Sequence, residues 1–188
     1  MAKASDIKSG NILRFNGELV QVTEYLHRTP GNLRAFYQAK MRNVRTGKMA
    51  EYRFRPDEEA EIVRVETKNY QYLYDDGEHF VIMDNDSFEQ VPVPKDLFGD
   101  AAQFLSEGMQ VTVAFDDNDE PISAEAPSHV ELEITYTEPA VKGDTSSGAT
   151  KYATLQTGKE IKVPLFINQG DKVKVDTRTG EYLERVKE

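Results

Sequence analysis

Residues 151–182 read KYATLQTGKEIKVPLFINQGDKVKVDTRTGEY, a regular succession of apolar runs and polar turns. Residues 161–167 are apolar apart from Lys162 and include a single proline, and residues 172–176 alternate charged side chains with valine. Two glycine-containing turns, 168–171 and 177–180, separate the runs. Short alternating or apolar runs bounded by turn residues are typical of antiparallel strands. The segment therefore predicts two strands and the start of a third, joined as a meander.

The first third of the chain predicts similar small antiparallel structure. Asn16-Gly17 stands between two short apolar runs and is the strongest short signal for a β-hairpin. A second hairpin is predicted around residues 46–47, where Thr-Gly separates two further runs. Between these hairpins Pro30-Gly31 favours an exposed turn.

The middle third combines strands with one short helix. Residues 70–74 and 80–83 flank an Asp-Asp-Gly-Glu turn and predict another hairpin. Residues 94–106 place apolar side chains at helical spacing, so a helix is predicted there. Residues 110–115 then return to a strand pattern, and strands around one short helix favour an oligonucleotide-binding (OB) type of barrel. The last third opens with a predicted strand over 130–136.

Charge is distributed unevenly along the chain. Residues 1–64 contain 12 Lys and Arg against 8 Asp and Glu, a net charge of +4. Residues 65–126 contain 2 against 15, a net charge of −13, and residues 127–188 contain 9 against 10, a net charge of −1. Each third is rich in predicted strands. We therefore predict an all-β chain of three small β-barrel domains in tandem, with these three ranges as the domains.

Basic residues are concentrated within residues 28–55, where Glu51 is the single acidic residue. Such a cluster is either an ordinary solvated face or a surface that contacts RNA phosphates. The contrast with the acidic middle third favours the second interpretation. The cluster consists of Arg28, Arg34, Lys40, Arg42, Arg45, Lys48, Arg53 and Arg55.

The motifs of common catalytic and metal sites are missing from the sequence. There is no cysteine, and His27, His79 and His129 are too scattered to predict a metal site. Aspartate-rich segments such as 116–119 lack the glycine and glutamate of a calcium loop, and residues 143–148 lack the Lys-Ser/Thr pair of a P-loop. We therefore expect no enzyme activity, no metal and no cofactor.

No apolar run reaches the roughly 18 to 20 residues that span a bilayer. The first ten residues also lack the apolar core of a signal peptide. We expect a cytoplasmic protein without membrane contact.

Several motifs together resemble the bacterial elongation factor P family over the whole chain. The C-terminal run 151–182 matches in the order of its residue types, and residues 70–74 match in the middle domain. Near the N-terminus the resemblance includes Leu26-His27 and Pro30-Gly31. It implies an SH3/KOW-like first domain, with a functional tip loop, followed by two OB-fold-type barrels.

The resemblance also implies a function. A member of this family binds both ribosomal subunits beside the P-site peptidyl-tRNA and stimulates peptide-bond formation, which relieves stalling at consecutive prolines. Messenger RNA is a further expected partner, and we expect a monomer. By resemblance, the tip loop that faces the peptidyl transferase centre comprises Arg28, Thr29, Pro30, Gly31, Asn32, Leu33 and Arg34. The RNA-facing surface comprises Lys40, Arg42, Arg45, Lys48, Arg53 and Arg55.

The tip loop departs from the family pattern at the residue that follows Pro-Gly. That residue is usually a lysine carrying an aminoacyl modification, or an arginine that is glycosylated, whereas this chain has Asn32. Asparagine has no amine to acylate, and Arg34 lies two residues further on. We therefore expect an unmodified tip.

A second loop is assigned by resemblance in the third domain. Gly143, Asp144 and Thr145 match the family's loop near the messenger and the small subunit. Their amides and the Thr145 hydroxyl could bond RNA phosphate or sugar, although a solvent-exposed linker would have the same composition.

Three other interpretations of the chain stay open at this point. A paralogue of the factor with a different tip would share nearly every motif. A general ribosome-associated RNA-binding protein would share the basic first third, and a small β-barrel enzyme is the third alternative.

Overall fold

A computed structural model describes residues 1–140 and 148–187, and strands make up most of their regular structure. Within these residues the strands form three sheets, of six, five and five strands. By packing, the chain forms two compact units, Met1–Thr67 with Val113–Ser123 and Lys68–Thr112 with Ala124–Glu188. The predicted class, an all-β chain of three small domains, is confirmed.

The first sheet is antiparallel and forms around the predicted hairpins. Asn16 and Gly17, with φ values of 51° and 80°, make the tight turn between its second and third strands. Its strands are β1 (Ala2–Lys3), β2 (Ile12–Phe15), β3 (Glu18–Arg28), β4 (Phe36–Asn43), β5 (Met49–Phe54) and β6 (Glu59–Ile62). Their order across the sheet is β1-β6-β2-β3-β4-β5, and a 3₁₀ helix, Ala4–Asp6, follows β1.

One face of the first sheet forms a small core. Leu13, Val22, Ala39 and Met41 are almost fully buried there. They alternate along the strands with more exposed, polar residues, as expected of a sheet with one face in water. Aromatic rings extend this core toward one end, with the centres of Phe15 and Tyr52 lying 4.9 Å apart.

The second and third sheets have five strands each. The second contains β7 (Glu66–Asp75), β8 (His79–Asp84), β9 (Gln90–Pro94), β10 (Gln110–Phe115) and β11 (Pro121–Glu125). The third contains β12 (His129–Thr137), β13 (Thr150–Leu155), β14 (Glu160–Pro164), β15 (Lys172–Asp176) and β16 (Tyr182–Arg185). Counted within each sheet, both follow the same order, third-second-first-fourth-fifth. We refer to them as the second and third barrels, since five strands in this order match the predicted OB type.

The third barrel confirms part of the strand pattern of its C-terminal run, since β14 ends at Pro164 within the predicted run 161–167 and β13 was not predicted. β15 has the predicted bounds, and Val173 and Val175 are completely buried between more exposed lysines. Leu132 and Leu155 fill the same core. The buried Thr177 hydroxyl donates a hydrogen bond of 2.6 Å to the Pro127 carbonyl, which fixes the turn after β15.

The helix predicted over residues 94–106 is wrong in type. The structure has 3₁₀ turns over Lys95–Phe104, interrupted at Gly99, whose φ of 58° and ψ of −141° are not helical. Glycine tolerates this conformation because it has no Cβ. The break still leaves Phe98 and Phe104 buried. Of the face predicted by helical spacing, Phe104 and Leu105 are buried and Leu97 and Ala101 are partly buried, whereas the buried Phe98 lies outside that predicted face.

Candidate nucleic-acid interface

The tip loop, residues 28–34, closes the long antiparallel hairpin of β3 and β4. The last pair of the hairpin is Arg28 with Phe36, so the exposed turn connects β3 directly to β4. The sequence had predicted this turn as a connection between two separate hairpins. Inside the loop the Leu33 N–H donates to the Pro30 carbonyl at 2.8 Å. Gly31 has a φ of 39°, a value that favours glycine. Leu33 is 75% exposed, so an apolar side chain is displayed at the tip.

A column of aromatic rings lies behind the tip loop. The His27 and Tyr37 rings stack with centres 4.6 Å apart, and Tyr25 stacks on Tyr37 at 5.4 Å. The Tyr25 hydroxyl donates to the Ala4 carbonyl at 2.5 Å, and burial raises the pKa of Tyr25 to about 12. The column connects the end of the hairpin to the core of the first sheet. It therefore restrains the hairpin that carries the loop.

Four basic side chains share the opposite face of the same hairpin and its neighbour β5. The strand register aligns Arg28 with Phe36, and it places Arg53, Lys40 and Arg42 on that same face. The Arg53 guanidinium lies 5.0 Å from the centre of the Phe36 ring. We call this set the basic face.

The charges of the basic face are not equally available. Lys40 forms a 2.9 Å ion pair with Glu24, and hydrogen bonding to that carboxylate raises the pKa of Lys40. Arg42 donates to the Gln21 side-chain oxygen at 3.0 Å. Within residues 1–140 and 148–187, neither Arg28 nor Arg53 forms an ion pair. Among the described residues, Lys40 is therefore the one member of the basic face whose charge is compensated by an ion pair, and Arg28 and Arg53 carry free positive charge near the tip loop.

The remaining predicted basic residues lie elsewhere. Arg34 is exposed in the tip loop, and Arg55 is exposed just after β5. Arg45 and Lys48 belong to the turn between β4 and β5, at the opposite end of the hairpin from the tip loop. The Asn43 side-chain oxygen shapes that turn by accepting the Arg45 N–H at 2.9 Å. The predicted cluster is therefore divided between the two ends of the hairpin.

The aromatic column and the Arg53–Phe36 contact were not predicted from the sequence. The available signal was the aromatic content of β3 and β4, with rings at alternating positions such as Tyr25 and His27. The third-domain loop of Gly143, Asp144 and Thr145 lies outside the described residues.

No group of three or more His, Asp or Glu that could hold a metal ion occurs in the described parts of the chain. Among those same residues, no helix is long and apolar enough to cross a membrane.

Family models match three consecutive parts of the chain. Residues 3–60 match the model described as the elongation factor P KOW-like domain, and residues 65–124 match the elongation factor P OB domain. Residues 130–185 match the model described as elongation factor P, C-terminal. These matches cover most of the chain in the order of the three sheets.

Proteins named elongation factor P are similar to the chain along its full length. The Chloroherpeton thalassium protein is 50% identical over 187 residues, covering 100% of both chains. The Kocuria rhizophila protein is 50% identical over 188 residues, again with 100% coverage of both. The Chloroflexus aurantiacus protein is 48% identical over 183 residues, covering 97% of both.

Solved structures support the fold alone. A eukaryotic translation initiation factor 5A from Methanococcus jannaschii aligns with a TM-score of 0.52 at 16% identity, over 61% of this chain and 85% of that one. An eIF-5A family protein from Naegleria fowleri aligns with a TM-score of 0.52 at 16% identity, over 66% and 92% of the two chains.

A KOW-like domain followed by two OB-type barrels defines a β-barrel translation factor. The chain belongs to the elongation factor P family, and its function is that of a translation elongation factor.

Proposed function

We propose that this factor binds the ribosome beside the P-site peptidyl-tRNA and stimulates peptide-bond formation at consecutive prolines. Family membership supports a role in translation. The observation that carries the proposal is the β3–β4 hairpin, which holds an exposed loop in front of an aromatic column. Arg28, at the base of that loop, forms no ion pair with any described residue and is available for RNA.

The first domain would lie along the acceptor arm of the tRNA. The basic face contacts backbone phosphates there, chiefly through Arg28 and Arg53, because Lys40 already has Glu24 as a partner. Arg34 reaches further, with the tip loop directed at the peptidyl transferase centre. Binding of this kind weakens as salt increases, since each phosphate contact releases counterions.

The tip loop would act by positioning and not as an enzyme. Proline is a poor reactant because its ring fixes φ and removes the N–H. Holding the tRNA end in a reactive geometry removes an entropic barrier, and effective molarities of about 10⁵ M show how large that effect can be. Arg28 and Arg34 bind phosphates of the CCA end, while the Asn32 amide bonds nearby backbone. Asn32 performs this role unmodified.

The proposal extends to the rest of the molecule. The third-domain loop of Gly143, Asp144 and Thr145 faces the messenger and the small subunit. The factor works in the cytoplasm as a monomer and without a cofactor.

The test is synthesis through three consecutive prolines in a reconstituted translation system. We expect the unmodified protein to accelerate passage through the prolines and to leave a proline-free message unchanged. Arg34→Ala should reduce this acceleration with little change in melting temperature. Arg64→Ala is the matched control, because it removes an exposed arginine that lies outside the tip loop and outside the predicted RNA-facing surface.

Three results would contradict parts of the proposal. No acceleration by the unmodified protein, with a mass increase on the native protein, would mean that the tip requires a modification. No acceleration by protein of unmodified native mass would favour a paralogue of different function. Full activity after deletion of residues 127–188 would favour a general RNA-binding protein over this factor.

A further inference from the structure

The outer surface of the third barrel carries exposed aromatic rings on particular strands. Counted within that sheet, β13 is the second strand and β14 the third. In OB folds the face formed by the second and third strands is the one that binds oligonucleotides. Tyr152 on β13 is paired directly with Lys162 on β14, and both side chains point away from the core.

The two tyrosines of this surface are unusually available. Tyr136 is 59% exposed and Tyr152 is 58% exposed, although aromatic side chains normally bury most of their surface. Tyr136 pairs with Thr154, so it lies diagonally across from Tyr152 on the same face. Diagonal neighbours in a sheet are about 7 to 8 Å apart, within reach of aromatic side chains. The two rings can therefore receive two bases of one strand.

A positive charge accompanies the rings. The Lys162 ammonium lies 5.7 Å from the centre of the Tyr152 ring. A hollow of about 380 Å³ adjoins both tyrosines and is also lined by Lys151, Glu138 and Glu160. A single exposed tyrosine would need no explanation. Two adjacent rings, a cation against one of them and an adjoining hollow form the arrangement of a single-strand binding surface.

We propose that this surface, Tyr136, Tyr152 and Lys162, binds single-stranded RNA by stacking bases on the two rings. The inference rests on the proposed function, since it identifies an RNA-contacting surface of the third barrel apart from the loop of residues 143–145. A base that stacks on Tyr152 displaces the Lys162 ammonium toward the neighbouring phosphate. Recognition is tolerant of sequence, because every base has a face that can stack.

An acidic residue determines which side of this surface the RNA backbone follows. Glu160 lies opposite Thr154, on the same face and two residues before Lys162 in β14. Phosphates are repelled from the Glu160 side and attracted to Lys162. The phosphate backbone therefore follows the Lys162 end of the surface.

The test measures binding of a labelled oligoadenylate of about ten nucleotides to the full chain by fluorescence anisotropy. We expect Tyr152→Thr to weaken binding by about ten-fold and the double variant with Tyr136→Thr to weaken it further. Threonine keeps a high strand propensity at these exposed positions. Tyr74→Thr is the matched control, because Tyr74 is 52% exposed on β7 of the second barrel, where it pairs with Val81 and has no second exposed tyrosine beside it among the described residues. Unchanged melting temperatures exclude loss of folding.

The outcomes separate this inference from the proposed function. Weaker binding in the tyrosine variants, with Tyr74→Thr unaffected, supports the surface. No oligoadenylate binding by the wild-type chain, or equal binding by the wild type and the double variant, overturns it. The assay contains no ribosome, so either result stands whatever the triproline assay shows. Failure of triproline acceleration, with the stacking effect intact, would overturn the proposed function alone.

Discussion

The second and third barrels share one strand order and differ in what their corresponding surfaces display. In the third barrel the outer side of the second and third strands carries Tyr152 and Lys162. In the second barrel the equivalent side pairs Val81 with Pro92 and His79 with Pro94. The two segments also differ in net charge, which is −13 for residues 65–126 and −1 for residues 127–188, so the second barrel is the more negative one.

This difference separates what the fold determines from what the side chains determine. Alternating apolar and polar residues, with turns between them, produce the same strand arrangement in both barrels. If the fold alone decided ligand binding, both barrels would bind ligands at equivalent faces. The second barrel does not display the same groups, since the outer side of its second and third strands carries prolines and its segment is strongly negative. An acidic body of this kind suits a protein that must bind among many phosphates without adhering to all of them.

The largest effects should come from core truncation and should be alike in the two barrels. Ile82 on β8 and Leu155 on β13 are each completely buried on the second strand of their sheet. Ile82→Ala and Leu155→Ala should each cost about 2–5 kcal/mol, because a cavity adds to the lost burial. Hydrogen exchange of the β8 and β13 amides would report the loss in each barrel separately.

The matched surface substitution for this comparison is Tyr152→Thr. It should change exchange protection by less than about 0.5 kcal/mol, since the side chain is mostly exposed. A core variant that left its own barrel protected, or a surface variant as damaging as a core one, would contradict the separation of scaffold from surface.

An intermediate effect is expected from the acidic surface of the second barrel. Glu78, Glu89 and Asp100 are exposed there and form no ion pair with any described residue. Changing them to the corresponding amides should raise non-specific affinity for duplex RNA by a few-fold at low salt, because three repulsive charges are removed. Titration of labelled duplex RNA at low and high salt would measure this.

The control for this substitution exchanges the same residues for the other acid. Glu78→Asp, Glu89→Asp and Asp100→Glu alter the side chains and keep the charge, so RNA affinity should not change. Two results would show that the acidic surface does not repel RNA. The amide variant could bind duplex RNA no better than the wild type, or its gain in affinity could be as large at high salt as at low salt.

Sequence reasoning predicted the strands whose signals are local. β10 and β15 were predicted with their observed bounds, since each is a short alternating run between turns. β6 and β13 were missed as separate strands, because β6 follows an acidic segment and β13 follows a long polar loop. A continuous helix was predicted because the apolar residues on either side of Gly99 keep a helical spacing. That spacing does not reveal the break at Gly99.

The candidate site was predictable only in part. The tip loop follows from Pro30-Gly31, whereas the composition of the basic face depends on pairing across strands. A bulge between Val22 and Glu24 shifts the register of β3 and brings Glu24 opposite Lys40. Such a bulge reverses which side chains share a face, and no local pattern in the sequence specifies it.

The smallest expected difference between the barrels is their response to acid. Hydrogen bonds from Lys95 to Asp75, from the His79 N–H to Asp76 and from the Asp86 N–H to Asp84 lower the pKa values of these second-barrel carboxyls. In the third barrel, the Arg178 N–H lowers the pKa of Asp176 in the same way.

A carboxyl whose pKa is lower in the folded state stabilises it fully above the ordinary aspartate value of 3.8, and this contribution is lost as the pH falls through the folded value. Among the described residues the second barrel has three such groups against one in the third barrel, so its amides should lose more exchange protection as the pH falls below about 4. Asp84→Asn should reduce that slope, because the amide oxygen still accepts the turn N–H groups but no longer titrates. Equal losses of protection in β8 and β13 would show that these turn carboxyls do not distinguish the two barrels.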